Sequence, residues 1–239
     1  MSGDESDLAS AEMTPRETGR AWSFDLQSRA QADGAPDRWF DELYAKADGE
    51  SGFIPWENAA PRDRLSAWLS DNPGNGKTAL DVGCGLGDNA SLLAAAGYQV
   101  TAFDLSGTAA AWAARRFPDQ GIAFQQADIF SLPDAFTGAF DLVHECYNLQ
   151  AMDPERVPEA LACIAATVKP GGRLLVLTRA ALEGVPKGER PAGPPTPIAR
   201  ETLERSVPSG LSRDRMDLFH DQRDPPIPHW LGEWTRSTD

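Results

Sequence analysis

Acidic side chains recur at the ends of apolar runs in this chain. Asp81 follows Thr78-Ala79-Leu80, Asp104 follows Val100-Thr101-Ala102-Phe103, and Asp128 ends the run from Ile122. A carboxylate at the end of a strand can accept two hydrogen bonds from a neighbouring diol. Just after Asp81 the glycines alternate, Gly83, Gly85 and Gly87, separated by Cys84 and Leu86. That spacing lets the backbone turn tightly and come close to a bound molecule with no Cβ in the way. A fourth cluster, His144, Glu145, Tyr147 and Gln150, interrupts the apolar run that starts at Phe140. It places a histidine, an acid and two hydrogen-bonding side chains within one short stretch.

Strands and helices must position these groups. The run from Thr78 to Val82 suits a strand buried on both faces, and Asp88 stands where a helix N-cap belongs. A helix from Asp88 to Ala96 would close at Gly97. Strand two ends at Asp104, Ser106 caps a helix from Thr108 to Arg116, and strand three covers 122–128. Residues 130–138 read as loop, strand four as 140–146, a helix as 153–168 and strand five as 173–178. Polar groups at the carboxyl end of a central parallel strand sit where open α/β sheets bind what they act on. Alternation turns His144 and Cys146 one way and Glu145 and Tyr147 the other. Glu145, Tyr147 and Gln150 are therefore expected in the pocket as catalytic residues. For His144, a satisfied buried histidine and a base both stay open, as does a structural ion pair for Glu145.

The spacing G-x-G-x-G, with Asp81 two residues ahead, differs from the dinucleotide pattern G-x-G-x-x-G. It resembles motif I of the class I S-adenosylmethionine-dependent methyltransferases. Downstream, Asp104, seventeen residues beyond Gly87, resembles the family acid on the ribose hydroxyls, and Asp128 the acid beside the adenine amino group. Lys169-Pro170-Gly171-Gly172 resembles the family's loop into strand five, and the likeness runs over residues 39–236. It implies an α/β fold: a Rossmann-like, doubly wound, mostly parallel seven-stranded sheet with an antiparallel C-terminal hairpin edge and helices on both faces. It implies S-adenosyl-L-methionine as cofactor, held by Asp81, Gly83, Cys84, Gly85, Gly87, Asp104, Leu105, Asp128, Ile129, Phe130 and Glu145. Aromatic residues followed by Ile54-Pro55-Trp56 resemble the N-terminal lid of thiopurine and thiocyanate methyltransferases. That likeness implies that Trp39, Tyr44 and Trp56 wall the sulfonium, where an aromatic face attracts a cation.

The chain has 239 residues, 41% of them hydrophobic, enough for a core, and no run long enough to cross a bilayer. Its net charge of −14 repels a phosphate backbone, so no nucleic-acid partner is expected. The start MSGDESDLAS lacks the apolar core of a secretory signal. Cys84, Cys146 and Cys163 form neither a disulfide framework nor a metal site, which points to a reducing cytoplasm. Cys84 reads as a space-filler. The expected division is a flexible acidic arm, or a loosely held helix, over 1–35 and one domain over 36–239. The latter comprises a lid and helix (36–76), a cofactor core (77–179), a Pro/Gly-rich loop (180–199) and a C-terminal helix with two strands (200–239). The loop reads as a flap or as plain surface. His220 and His229 stand in a polar tail with no visible metal partner, and Trp230 and Trp234 cover the sheet edge.

Methyl transfer from a sulfonium is an in-line displacement that needs no metal. Proximity and exclusion of water carry it. A thiolate needs little help, whereas a hydroxyl or ammonium usually needs a base. The expected activity is methyl transfer to S, O or N of a small molecule. A non-catalytic S-adenosylmethionine-binding domain and a nicotinamide-dependent oxidoreductase stay open as alternatives, and oligomeric state is not read.

Overall fold

The computed structural model describes residues 13–57, 62–182 and 195–238. Contacts divide the chain into two compact units, Met1–Ala59 and Ala60–Asp239. The boundary thus falls well beyond the expected residue 35.

In the N-terminal unit, helix α1 spans Pro15–Ala32, where the sequence leaves a flexible arm and a loosely held helix both open. Its start is a capping box: Thr14 Oγ1 accepts from the Glu17 backbone N–H, and the Glu17 carboxylate accepts from that of Thr14 at 2.8 Å. Leu26 and Ala30 are buried. A weakly amphipathic, polar composition hid this helix, although Thr14-Pro15-Arg16-Glu17 carries the start signal. Gly19 lets the turn at 51–53 pack against α1, because a Cβ there would lie 1.7 Å from Phe53 O. Helix α2, Trp39–Ala47, follows as the aromatic spacing predicts.

The C-terminal unit is built on a sheet. Its strands are β1 (Thr78–Val82), β2 (Gln99–Asp104), β3 (Ala123–Gln126), β4 (Phe140–Cys146), β5 (Val168–Ala181), β6 (Ile198–Ala199), β7 (Leu211–His220) and β8 (Pro228–Arg236). The order is β3-β2-β1-β4-β5-β8-β7, with β6 joined to β5. All pairs are parallel except those of β8, which runs antiparallel to β5 and β7. The expected mixed sheet and hairpin edge are present, and the two-residue β6 is an addition. Strand order reverses between β1 and β4, the place where open α/β sheets form a ligand crevice.

Five helices, α3 (Arg62–Asp71), α4 (Asp88–Ala95), α5 (Gly107–Arg116), α6 (Val157–Ala166) and α7 (Arg200–Ser206), accompany the sheet among the described residues. Leu80, Val82, Val143, Leu174 and Val176 share one core with Leu161 and Ile164 of α6. Alternation sends Ala79, Asp81 and His144 to the opposite face. Trp68 of α3 donates its indole N–H to Glu233 at 3.1 Å, and Arg173 pairs with the same carboxylate.

Several boundaries differ from the sequence reading. Gly87, at φ 84°, is the N-cap of α4, and Asp88 instead takes a bidentate pair from Arg116 at 2.6 and 3.1 Å. A 3-10 turn over 154–156 precedes α6. The ends of the expected Pro/Gly-rich loop are ordered, since Ala180 and Ala181 pair with Ile198 and Ala199. Its residues 183–194 lie outside the described residues. No described helix is long and apolar enough to cross a membrane.

Candidate active site

The β1 turn uses all three glycines in left-handed conformations, with φ of 56°, 53° and 84° at Gly83, Gly85 and Gly87. Neighbours as well as backbone strain exclude a side chain there. A Cβ on Gly83 would stand 1.8 Å from Asn148 Oδ1, and one on Gly87 would stand 2.9 Å from the Phe124 ring. Asp104 locks this turn to β2: one carboxylate oxygen accepts from the Gly85 N–H and the other from the Ser106 N–H, both at 2.8 Å. Leu105 beside it is 36% exposed.

Beyond β3, Asp128 is exposed and accepts from the Phe130 N–H at 2.9 Å. Ile129 and Phe130 are half-buried, and the Arg156 guanidinium lies 3.5 Å from the Phe130 ring centre. Cys84 is buried, and burial pushes its thiol up, aided by Asp104 and Asp81. It is a space-filler rather than a nucleophile.

Asp81 and His144 face one another across the β1–β4 pair. Asp81 Oδ1 and His144 Nδ1 are 2.8 Å apart, both side chains are buried, and Asp81 Oδ2 has no hydrogen-bond partner. Of the two readings for His144, the satisfied buried histidine matches this geometry.

Glu145 is fully buried. Its Oε1 accepts from the Asn148 N–H at 2.6 Å and the Leu149 N–H at 3.1 Å, while Oε2 has no partner. Burial raises its pKa to about 7, against the lowering effect of those two backbone donors. Glu145 thereby sets the shape of the chain as it leaves β4. Asn148 uses that shape to donate from its side chain to Val82 O at 2.7 Å, joining the β4 exit to the glycine turn. Gln150, also buried, accepts from the Arg179 N–H at 2.7 Å and the Thr178 hydroxyl at 3.2 Å, while its carbonyl accepts from the Thr196 N–H.

Strand alternation does not extend to Tyr147. β4 ends at Cys146, and Tyr147 adopts φ 72°, which swings its ring toward β8 rather than along the Glu145 face. Its hydroxyl lies 2.5 Å from His229 Nε2, and the two rings stack at 5.7 Å. His229 Nδ1 is 2.8 Å from Ile227 O, a group that only accepts, so Nδ1 carries the proton and Nε2 accepts from the tyrosine. Burial holds His229 down at about 4 and pushes the Tyr147 hydroxyl well up. The sequence placed His229 in an idle tail. Only the antiparallel register, Arg179 opposite His229 and His229 opposite Phe219, brings it to Tyr147.

Within the N-terminal unit, Trp39, Tyr44 and Trp56 gather in one aromatic cluster. The Trp56 indole donates to the Tyr44 hydroxyl at 2.9 Å, and both Trp39 and Tyr44 meet Trp56 edge-on at 5.8 Å.

Residues 79–172 match the family model described as a methyltransferase domain. A ubiquinone biosynthesis O-methyltransferase from Pseudomonas paraeruginosa is 30% identical over 205 residues, covering 83% of this chain and 76% of that one. The chain belongs to the class I S-adenosylmethionine-dependent methyltransferases. A second relative of the same description, from Aromatoleum aromaticum, is 34% identical over 62% of this chain and 63% of its own length, just under two thirds. Among solved structures, the 1,6-didemethyltoxoflavin-N1-methyltransferase of Burkholderia thailandensis aligns with a TM-score of 0.58 at 18% identity. That alignment covers 96% of this chain and 93% of the other, a likeness of fold.

The methyltransferase uses S-adenosyl-L-methionine as its cofactor and methylates a small molecule. The strand ends fit that cofactor. A glycine cradle that admits no Cβ adjoins the Asp104 carboxylate, which suits a diol, and two buried carboxylate oxygens, Asp81 Oδ2 and Glu145 Oε2, lack partners beside β1 and β4.

Proposed function

We propose that the turn from Gly83 to Gly87 and the turn from Tyr147 to Gln150 receive the two reactants. S-adenosylmethionine lies along the first and the acceptor beside the second. The observation that carries this reading is the seat of Asn148, whose side chain rests on Gly83 and donates to Val82 O. It brings the two turns together where strand order reverses.

Bound S-adenosylmethionine supplies an electrophilic methyl group whose positive charge disperses on transfer. The chain's own residues hold and orient. Asp104 accepts from the ribose hydroxyls. Asp128, Ile129, Phe130 and Leu105 flank the adenine, while Asp81, Gly83, Cys84, Gly85, Gly87 and Glu145 border the methionine end. Glu145 and Gln150 act as positioning residues for the β4 exit, and Tyr147 presents its hydroxyl oxygen to the acceptor side.

A neutral His229 with a pKa of about 4 is a weak base near pH 7, and Tyr147 is reluctant to ionise. The site therefore favours an acceptor that arrives ionised or ionises easily, such as a thiol or an acidic hydroxyl. The O-methyltransferase relatives favour oxygen between these. The thiopurine-like lid is a second reading, supported by the Trp39–Tyr44–Trp56 cluster. On it Trp56→Ala weakens cofactor binding. Unchanged affinity in that variant removes the lid reading.

The deciding experiment titrates the full chain with S-adenosylmethionine, S-adenosylhomocysteine and NADH in parallel, then follows S-adenosylhomocysteine release with thiol, phenol and amine acceptors. Selective binding of the first two ligands and turnover with thiols or phenols is expected. Binding of NADH alone, or binding without turnover on any acceptor class, overturns the proposal.

A further inference from the structure

The Tyr147 side of the site carries more positive charge than the rest of this acidic chain would suggest. Arg179 lies near the carboxyl end of β5, and its backbone is fixed by Gln150 and by pairing with His229. Arg223 lies in the connection from β7 to β8, which returns to the same edge because β7 is parallel to β5 through their shared partner β8. Both guanidiniums favour the ionised form of the Tyr147 hydroxyl, and they repel one another.

One carboxylate answers them. Asp221 pairs with Arg223 Nε and also accepts from the Arg223 and Ile227 backbone N–H groups. Burial keeps Tyr147 and His229 from adding charge near pH 7. This corner is also partly shielded from water: Arg179 is half-buried, its Nε is buried with no hydrogen-bond partner, and the Arg223 side chain is 29% exposed. Keeping a guanidinium half-buried with a donor unmet is costly unless a ligand completes it.

The walls are rigid and flat. Tyr147 stacks on His229 and His229 on Phe219 at 5.3 Å and 18°, and the Arg64 guanidinium covers the outer Phe219 face at 4.6 Å.

We propose that Arg179 and Arg223 form an oxyanion subsite for the acceptor, so that the small molecule methylated carries a carboxylate or a phosphate. This rests on the reading of the Tyr147 side as the acceptor side. The planar fork of a guanidinium binds such an oxyanion through two parallel hydrogen bonds. Anchoring there fixes the acceptor's orientation before methyl transfer.

The test uses the full chain saturated with S-adenosylhomocysteine and titrated with benzoate, phenyl phosphate and uncharged benzamide. Benzoate or phenyl phosphate is expected to bind at least about tenfold more tightly than benzamide, the worth of one charge-assisted contact. The tighter of the two oxyanions identifies the anion preferred. Arg179→Gln is expected to remove that preference while leaving S-adenosylhomocysteine affinity unchanged, and Arg223→Gln to reduce it less, because Asp221 already engages Arg223. Oxyanions binding no more tightly than benzamide to a chain that binds S-adenosylhomocysteine overturn the subsite. Loss of the preference only when salt is raised, with both variants behaving as wild type, overturns it as well. Failure of S-adenosylhomocysteine itself to bind overturns the cofactor reading beneath it. The wild-type comparison decides even if a variant does not fold.

Discussion

The two halves of the site are built in opposite ways. On the glycine-turn side backbone geometry leads: Asp104 reaches Gly85 and Ser106, the turn closes on itself through Gly87 and Cys84, and Arg116 and Asn148 reach in to the Leu86 and Val82 carbonyls. On the Tyr147 side the contacts join residues far apart in the chain, Tyr147 to His229, Gln150 to Arg179 and Phe219 to His229. In the proposed reading the first half, built on backbone geometry, holds the cofactor common to the family, and the second, built on side chains from the hairpin edge, faces the acceptor. The Asp81–His144 pair and Asn148 hold the halves together.

Breaking that joint should cost most. His144→Ala leaves Asp81 buried beside a second unmet oxygen, and a loss of about 3 kcal/mol in unfolding free energy is expected by denaturant titration. A loss under about 1 kcal/mol would show that the pair is not structural.

Glu145 and His229 sharpen the comparison through pH. The Glu145 pKa is raised from 4.5 to about 7, so between those values the folded state holds a proton that the unfolded chain has lost, and stability falls as pH rises. The His229 pKa is lowered from 6.5 to about 4, so between those values the unfolded chain holds the extra proton, and stability rises with pH. The opposing contributions are each on the order of 2 to 3 kcal/mol and overlap from about pH 4.5 to 6.5. Glu145→Gln should therefore steepen the rise in stability with pH across that range, and His229→Gln should turn it into a fall. Thermal unfolding at a series of pH values that shows the same slope in both variants would contradict this assignment.

Asp104→Ala should weaken S-adenosylmethionine binding by roughly 1 to 3 kcal/mol, because ribose hydroxyls lose their acceptor and the Gly85 N–H loses its partner. Calorimetry on the folded variant checks it. The smallest effect is expected inside the N-terminal cluster, where Trp56→Phe removes the hydrogen bond to Tyr44 and should cost about 1 kcal/mol of stability.

The contrast between the halves also explains what could be read from the sequence. The glycine turn, the strand acids Asp81 and Asp104, the Ser106 cap and the hairpin edge are legible, because each depends on local spacing, whereas β3 stops at Gln126 and leaves Asp128 beyond the strand it was expected to end. Over helix α1 a polar, weakly amphipathic stretch leaves a disordered arm and a loosely held helix both open, although the capping box stands in four consecutive residues. Asp88 was read as a cap, but its charge is better satisfied by Arg116, whose approach depends on α5 packing. Tyr147 was placed on the Glu145 face by alternation, which fails where the strand ends and a non-glycine residue takes a positive φ. His229, Arg179 and Arg223 could not be joined to Tyr147 without the β5–β8–β7 register, because no short-range pattern fixes which residues an antiparallel edge brings together.

The most direct test of this division crosses the two halves: Asp104→Ala and Arg179→Gln, each titrated with S-adenosylhomocysteine and with the preferred oxyanion, benzoate or phenyl phosphate. The expected result is a double separation. Asp104→Ala loses S-adenosylhomocysteine affinity and keeps the oxyanion's, while Arg179→Gln does the reverse. Parallel loss of both ligands in either folded variant would contradict the account of two separately built halves.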